Sequence, residues 1–269
     1  MPPPALPDAI EDYRDHHWFR DETRRVETAQ DAERFVEHVG FAACLTDARR
    51  PARRCSRRLR PARCRPGRET CRRTRRRRTC GSSLTRWCAA ARYYGSSRGK
   101  ATFVAPRLVP AFHALGVRRS EEADRLSADA RRLLAPLRRE GEMSTRELRE
   151  ASGVSDRARF TRALDELQAA MIVVPADVVY QPFTYLWTLA VGRFPDQLRR
   201  RLGRDAALRE IAAGFLAGAG MTVPGELARV SGLSRPDAGL GNRALVETGL
   251  ATSPARGTYQ LAAGLPGAF

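Results

Sequence analysis

The chain has 269 residues, 42% apolar and 7% aromatic, which is enough for one large domain or two to three small ones with hydrophobic cores. No uninterrupted apolar run approaches the roughly 20 residues that a membrane-spanning helix needs, and the Pro-rich, acidic N-terminus does not resemble a signal peptide. We therefore expect a soluble, cytoplasmic, mainly helical protein with no membrane partner.

The net charge of +18 favours a nucleic-acid partner, but its distribution is uneven. Residues 48–98 contain 19 arginines and a single acid, Glu69, whereas the rest of the chain contains 29 basic and 29 acidic residues. The same stretch holds five of the six cysteines. The excess charge is therefore a property of one segment.

The N-terminal part has an ordinary globular pattern. Residues 8–25 are dense in charge, with Tyr13, Trp18 and Phe19 interleaved, and indicate one helix or a helix and a turn. The adjacent His16 and His17 lack a third ligand at suitable spacing, so we interpret them as surface residues and predict no metal site.

A second helix begins near Thr28, because a Thr followed three residues later by an acid is a helix-start pattern. Gly40 stands where a C-terminal glycine belongs, and a small apolar strand follows at residues 41–45. The apolar stripe of this helix consists of Ala32, Phe35, Val36 and Val39.

From Pro51 to Arg98 the chain has neither the strand nor the helix periodicity of apolar residues, so this tract offers no core. Three interpretations remain open. The tract could be an arginine-rich arm that binds phosphates, or a zinc site, although cysteine separations of 9, 7, 9 and 8 residues without a histidine do not fit one. It could also be a frameshifted translation, because 47 arginines beside the single Lys100 indicate GC-rich coding. We favour the frameshift.

After Lys100 the ordinary pattern returns, and the stretch from Met143 to Ala190 is the most informative in the chain. Residues 144–147 form a capping box that starts a short helix. Ser155 is the expected cap of a second helix, which is preceded by a turn at residues 151–154. Two strands follow, at residues 172–174 and 183–190, around a loop at residues 177–182. With the helix predicted at residues 128–139, this order is typical of a winged helix-turn-helix.

The pattern recurs near the C-terminus. Helices are predicted at residues 206–217, 222–230 and 234–245, followed by a hairpin around Arg256 and Gly257. The turn at residues 231–234 matches that at residues 152–155, 79 positions earlier. Internal duplication supports both modules.

The expected fold class is mainly α with small β-hairpins, arranged as tandem winged helix-turn-helix modules. We predict an N-terminal lead (1–27), a degraded first winged-helix-like module that contains the aberrant tract (28–116), a winged helix (121–196) and a second winged helix (205–264).

Residues 13–20, Tyr-Arg-Asp-His-His-Trp-Phe-Arg, together with the helix from Thr28 to Phe41 and the tandem modules, resemble the winged-helix proteins related to bacterial crosslink-repair DNA glycosylases. The resemblance covers nearly the whole chain except residues 51–98. It implies several winged helices that form a concave DNA-binding surface.

The glycosylases of that family carry a Gln-x-Gln or Gln-x-Asp motif just after a Gly-aromatic pair. Here Gly40 and Phe41 are followed by residues that place Ala43 and Leu45 at the catalytic positions, and neither side chain can position water or stabilise charge. Asp47 is the nearest carboxylate and the one catalytic candidate. The resemblance therefore implies DNA binding without catalysis, and no cofactor is expected.

The expected function is binding of double-stranded DNA, and the alternative is a DNA glycosylase that acts on alkylated or crosslinked DNA. The sequence leaves the oligomeric state open. The expected DNA contacts lie on the two recognition helices and on the last hairpin: Arg157, Arg159, Arg162, Arg235, Asn242, Arg243 and Arg256.

The frameshift interpretation predicts that resequencing the gene from codon 45 to codon 102 finds an insertion or deletion at each end of the tract, which restores an apolar pattern between them. An uninterrupted reading frame across these codons, with no compensating changes, would show that the arginine-rich tract is genuine.

Overall fold

The computed structural model describes residues 6–19, 28–43, 93–95, 101–121, 126–180 and 183–262. Within these ranges the chain is mainly helical with three small antiparallel sheets, which confirms the predicted fold class at that level. We refer to residues 28–121, 126–193 and 204–262 as the N-terminal, central and C-terminal units.

A helical lead precedes the N-terminal unit: helix α1 spans Asp8–His17. The unit itself begins with α2, Ala29–Val39, whose Thr28 and Asp31 form the reciprocal capping box and whose predicted apolar stripe is buried. Its remaining elements are β1 (Phe41–Ala43), β2 (Tyr93–Gly95), β3 (Ala101–Val104), a 3-10 turn (Pro106–Leu108) and α3 (Val109–Glu121).

Strand β2 lies inside the tract that we interpreted as unable to form a core, and it pairs with β3 from Tyr93 to Gly95. The tract is therefore not uniformly irregular. Its other residues, including all five of its cysteines, lie outside the described residues, so the arm, zinc and frameshift interpretations stay predictions.

The central unit starts with α4 (Ala128–Glu140) and β4 (Glu142–Ser144). Ser144 and Glu147 form the predicted capping box, which lowers the pKa of Glu147 through hydrogen bonds from the backbone and side chain of Ser144. The unit continues with α5 (Thr145–Ser152), α6 (Arg157–Ala169), β5 (Val173–Tyr180) and β6 (Phe183–Leu189).

Two details of the central prediction are wrong. The cap of α6 is Asp156, not Ser155; its carboxylate accepts from the backbone of Arg159 at 2.7 Å, and a negative group is favoured at a helix N-terminus. Strand β5 also extends into the predicted loop as far as Tyr180, because a register shift between Pro175 and Asp177 lets the pairing with β6 resume.

Two short helices, α7 (Ala190–Arg193) and α8 (Pro195–Leu198), connect to the C-terminal unit. That unit comprises α9 (Arg204–Ala219), β7 (Met221–Thr222), α10 (Glu226–Ser231), α11 (Arg235–Glu247), β8 (Ala251–Ala255) and β9 (Thr258–Leu261).

The helix predicted at residues 222–230 is wrong in its first half. Thr222 pairs with Tyr259 in the sheet, and Gly225 takes a φ of +75° before α10 begins at Glu226. The chain therefore enters this helix through a strand and a left-handed turn. The hairpin predicted around Arg256 and Gly257 is confirmed.

All three sheets have the same strand order, in which the first strand pairs with the third and the third with the second. In both the central and the C-terminal unit, 28 residues separate the first strand from the second, and two helices occupy them. In the N-terminal unit the stretch between the first and second strands is residues 44–92, which are 49 residues and lie outside the described ranges.

The N-terminal and C-terminal units share one hydrophobic core, whereas most of the central unit has its own. Helix α9 is the centre of the shared core and is buried on most of its surface, as expected of a helix that is apolar all round. Its close neighbours are α1, α2, α3 and α11. Met171, Val174 and Ala190 are the buried residues that the central unit contributes to this core.

Side chains of α1 close the C-terminal end of α9. The last carbonyls of a helix have no partner within it, yet those of Ala217, Gly218 and Ala219 accept from Tyr13 Oη (2.5 Å), Trp18 Nε1 (2.6 Å) and Arg14 Nε (3.0 Å). The preceding carbonyl, of Leu216, accepts from the amide of Gly220.

Gly241 has a packing role that the sequence did not indicate. We expected Gly239 and Gly241 only to weaken α11, by roughly 1 kcal/mol each relative to Ala. A Cβ at Gly241, however, would lie 2.5 Å from the carbonyl oxygen of Leu208, so this glycine allows α11 to approach α9 closely. At Gly239 the nearest atom is the flexible guanidinium of Arg243, at 3.2 Å.

We predict that Gly241→Ala lowers the free energy of unfolding by about 1–3 kcal/mol, since overpacking costs more than the gain in helix propensity. The matched Gly239→Ala variant should be neutral or slightly stabilising. Urea denaturation monitored by circular dichroism measures both. Equal stabilisation by the two changes would contradict the close helix contact.

Candidate nucleic-acid interface

The four candidate residues of the C-terminal unit line one cleft. Arg235, Asn242 and Arg243 come from α11, and Arg256 comes from the hairpin of β8 and β9. The opposite wall is the turn at residues 223–225, and the cleft has a volume of about 310 Å³. The sequence predicted these residues separately, and the structure brings them together.

The charge of this cleft is positive and uncompensated. Among the described residues that line it none is acidic, and Arg235, Arg243 and Arg256 form no ion pair within the described part of the chain. Asp237 pairs with Arg204, Glu226 pairs with Arg14, and Glu247, one turn beyond Arg243 on α11, forms no ion pair with it. Such a surface attracts anions.

Asn242 differs from the arginines because it is buried, with 6% exposure. Its Oδ1 atom has no hydrogen-bond partner within the described structure. Buried polar atoms are nearly always paired, and one that is not calls for an explanation such as a missing ligand or water.

The wall of the cleft is held in place from behind by a buried ion pair. Arg14 donates to both carboxylate oxygens of Glu226, at 3.2 and 3.1 Å, and Glu226 in turn accepts from the backbone of Val223 at 3.2 Å. The side chains of Arg14 and Glu226 are 4% and 2% exposed. The N-terminal helix therefore fixes the turn that faces the candidate arginines.

The candidate residues of the central unit are arranged differently. The guanidinium of Arg159 donates to both carboxylate oxygens of Asp129 in α4, at 2.9 and 2.8 Å. These hydrogen bonds hold the pKa of Asp129 below its usual value, against a smaller opposing effect of desolvation, and they raise the pKa of Arg159. The charge of Arg159 is therefore compensated within the protein.

Arg162 lies beside this pair, in a depression that also contains Glu166, whose carboxylate accepts from the backbone and hydroxyl of Ser127. Arg157 is exposed and, within the described residues, its side chain has no ion pair or hydrogen bond. Arg162 forms no ion pair there either, but its Nε donates to the carbonyl of Ala158 at 3.3 Å.

Asp47, the catalytic candidate, lies outside the described residues. Of the two residues at the expected motif positions, Leu45 is also outside them, and Ala43 is the last residue of β1, paired with Thr102. Within the described ranges no group of three or more His, Cys, Asp or Glu side chains could hold a metal ion. His17 Nδ1 lies 2.9 Å from His38 Nε2, with the two rings stacked.

No helix in the described part of the chain is both long and apolar enough to cross a membrane.

Sequence reasoning missed the residues that support the cleft. Tyr259 lines it and pairs with Thr222, and its position in the predicted hairpin was the signal that could have placed it there. Arg14 and Glu226 are 212 residues apart, and no local pattern links them.

Residues 90–197 match the model of a protein family described as AlkZ related, where AlkZ denotes a family of DNA crosslink-repair glycosylases. The match begins eight residues before the end of the tract at 51–98 and covers β2, β3, α3 and the central unit. It relates this part of the chain to DNA repair. No curated protein matches the chain, and neither does a solved structure.

The lowered pKa of Asp129 predicts a pH dependence of stability. A carboxyl whose pKa is lower in the folded state stabilises the fold above its unfolded pKa, about 3.9, and this stabilisation is lost as pH falls through the folded value. Asp129→Asn should therefore be less stable than the wild type at pH 7, with the difference shrinking below about pH 4. Thermal unfolding at several pH values measures it.

The control for this experiment is Glu33→Gln, because Glu33 is exposed on α2 and forms no ion pair within the described residues. Its stability should follow that of the wild type at every pH. A constant difference between Asp129→Asn and the wild type down to pH 2 would mean that the carboxylate pair with Arg159 does not contribute.

Proposed function

We propose that the chain is a non-catalytic DNA-binding protein that contacts double-stranded DNA through tandem winged helices. The central and C-terminal units each have the helix, strand, helix, helix, hairpin order of such modules. In this arrangement α6 and α11 are the recognition helices, and the hairpins are the wings. We further propose a cytoplasmic location, at the nucleoid when the protein is bound to DNA.

The observation that carries the proposal is the convergence of Arg235, Arg243 and Arg256 on one cleft without an acid. A recognition helix and its wing approach the same stretch of DNA, so unpaired arginines on both elements suit neighbouring phosphates. In the central unit we assign the main contact to Arg157. Arg159 and Arg162 would contribute less, because Asp129 and Glu166 reduce the local positive potential.

The absence of catalysis is supported by the residues at the expected motif, Ala43 and Leu45, neither of which can activate water. The alternative, a DNA glycosylase acting on alkylated or crosslinked DNA, is favoured by the family match over residues 90–197. In that case Asp47 is the residue that would carry the chemistry.

Two assays distinguish these functions. Fluorescence anisotropy with a labelled duplex measures binding, and chromatography of alkylated or crosslinked DNA after incubation measures released base. We expect binding without release. Base excision that disappears in Asp47→Ala would overturn the non-catalytic proposal.

Arg235→Ala combined with Arg243→Ala should weaken duplex binding, and the slope of log K against log salt should fall by about 0.9 for each phosphate contact removed. Arg157→Ala should act in the same direction by about one contact. The control is Arg34→Ala, since this side chain is 69% exposed on α2, outside the proposed interface. Unchanged affinity and slope for the double variant at two salt concentrations would refute the assignment of α11.

A further inference from the structure

We propose that the cleft of the C-terminal unit holds one unpaired nucleotide of a DNA strand, with its phosphate on the arginines and its base against Asn242. This inference rests on the proposed DNA binding and makes it more specific. It identifies the ligand of the cleft as a nucleotide that has lost its pairing partner.

The shape of the surface is the first reason. Duplex DNA is read by a convex helix face lying in a groove, and such reading does not require a cavity. Here the recognition helix, the wing and the turn at residues 223–225 enclose about 310 Å³, at the lower end of the range for small-molecule pockets. A cleft of this size suits a group that projects from the strand.

The arrangement of charge is the second reason. Three arginines border the cleft, and the guanidinium of Arg235 lies near Gly225, with Nε 3.7 Å from a Cβ placed there. Arginine binds phosphate oxygens through two parallel hydrogen bonds. Because the wall at Gly225 has no side chain, a phosphate can reach this guanidinium from the cleft.

The unsatisfied acceptor of Asn242 is the third reason, and it favours a base over a simple anion. An anion offers only acceptors and cannot satisfy Oδ1. The pairing edge of a base offers an adjacent donor and acceptor, which match the two halves of an amide. The terminal torsion of Asn has a broad minimum, so rotation about it can exchange the positions of Nδ2 and of Oδ1, which is buried in the structure.

The pairing edge of a base is the edge that hydrogen-bonds to the opposite base in duplex DNA, and it is free in an unpaired nucleotide. A contact between this edge and Asn242 therefore favours an unpaired nucleotide over a paired one. All four bases carry such an edge, so we expect little preference among them. Tyr259 lines the same cleft and supplies an aromatic face on which a base can stack.

The test compares three labelled duplexes of one sequence: fully paired, with one bulged adenosine, and with one bulged abasic residue. The wild type should bind the adenosine bulge about fivefold to tenfold more tightly than the other two, the effect expected of one or two hydrogen bonds. Asn242→Leu, which keeps the branched shape of the side chain and removes its hydrogen-bonding atoms, should abolish this preference.

Arg256→Ala should weaken binding to all three duplexes and keep the preference for the adenosine bulge. This contrast separates the base contact of Asn242 from a general loss of structure, and circular dichroism checks that both variants are folded. Equal affinity of the wild type for the paired and bulged duplexes would overturn the nucleotide proposal and leave the proposed duplex binding intact.

Failure to bind any of the three duplexes would instead overturn the proposed function itself. Competition with free dAMP decides the source of the nucleotide. If dAMP displaces the adenosine bulge at concentrations close to the bulge's own dissociation constant, the cleft is a mononucleotide site, and its assignment to a DNA strand is wrong.

Discussion

The shared core depends on the hydrogen bonds that satisfy the C-terminal end of α9. Its last carbonyls accept hydrogen bonds from side chains of α1 and of Trp18, which follows α1, about 200 residues earlier in the chain, and Arg14 also forms a buried ion pair with Glu226. A buried ion pair is stable only when further hydrogen bonds complete it. Here they do, because Arg14 also donates to the carbonyls of Ala219 and Met221, and Glu226 accepts from Val223.

This closure links the ends of the chain to the candidate interface. Helix α9 packs against α11 so closely that Gly241 has no room for a side chain, and Glu226 fixes the turn that faces α11 across the cleft. The arginines of the cleft are therefore carried by elements whose positions are set by the shared core. In the central unit, by contrast, Asp129 holds Arg159 on the surface of a separate core.

Local sequence patterns predicted much of the fold. The capping boxes at Thr28 and Ser144 and the apolar stripes define helices that the structure contains. The duplicated turn indicated a repeated module, but the strand order that the three sheets share was not predicted. Patterns of this kind depend on residues within a few positions of each other. The pair of Arg14 with Glu226 depends on tertiary packing over 212 residues, and the cap at Asp156 depends on which of two adjacent polar residues is better placed. For the candidate site, residue types were predictable, but their convergence was not.

The partners of α1 also determine the order in which the protein can be completed during synthesis. The carbonyls and the carboxylate that satisfy Tyr13, Arg14 and Trp18 are synthesised about 200 residues after these side chains. At about 5–20 residues per second, that delay is roughly 10–40 seconds. During this interval the nascent chain exposes an aromatic, amphipathic segment that chaperones can bind. A chain that terminates before residue 226 lacks the carboxylate that pairs with Arg14.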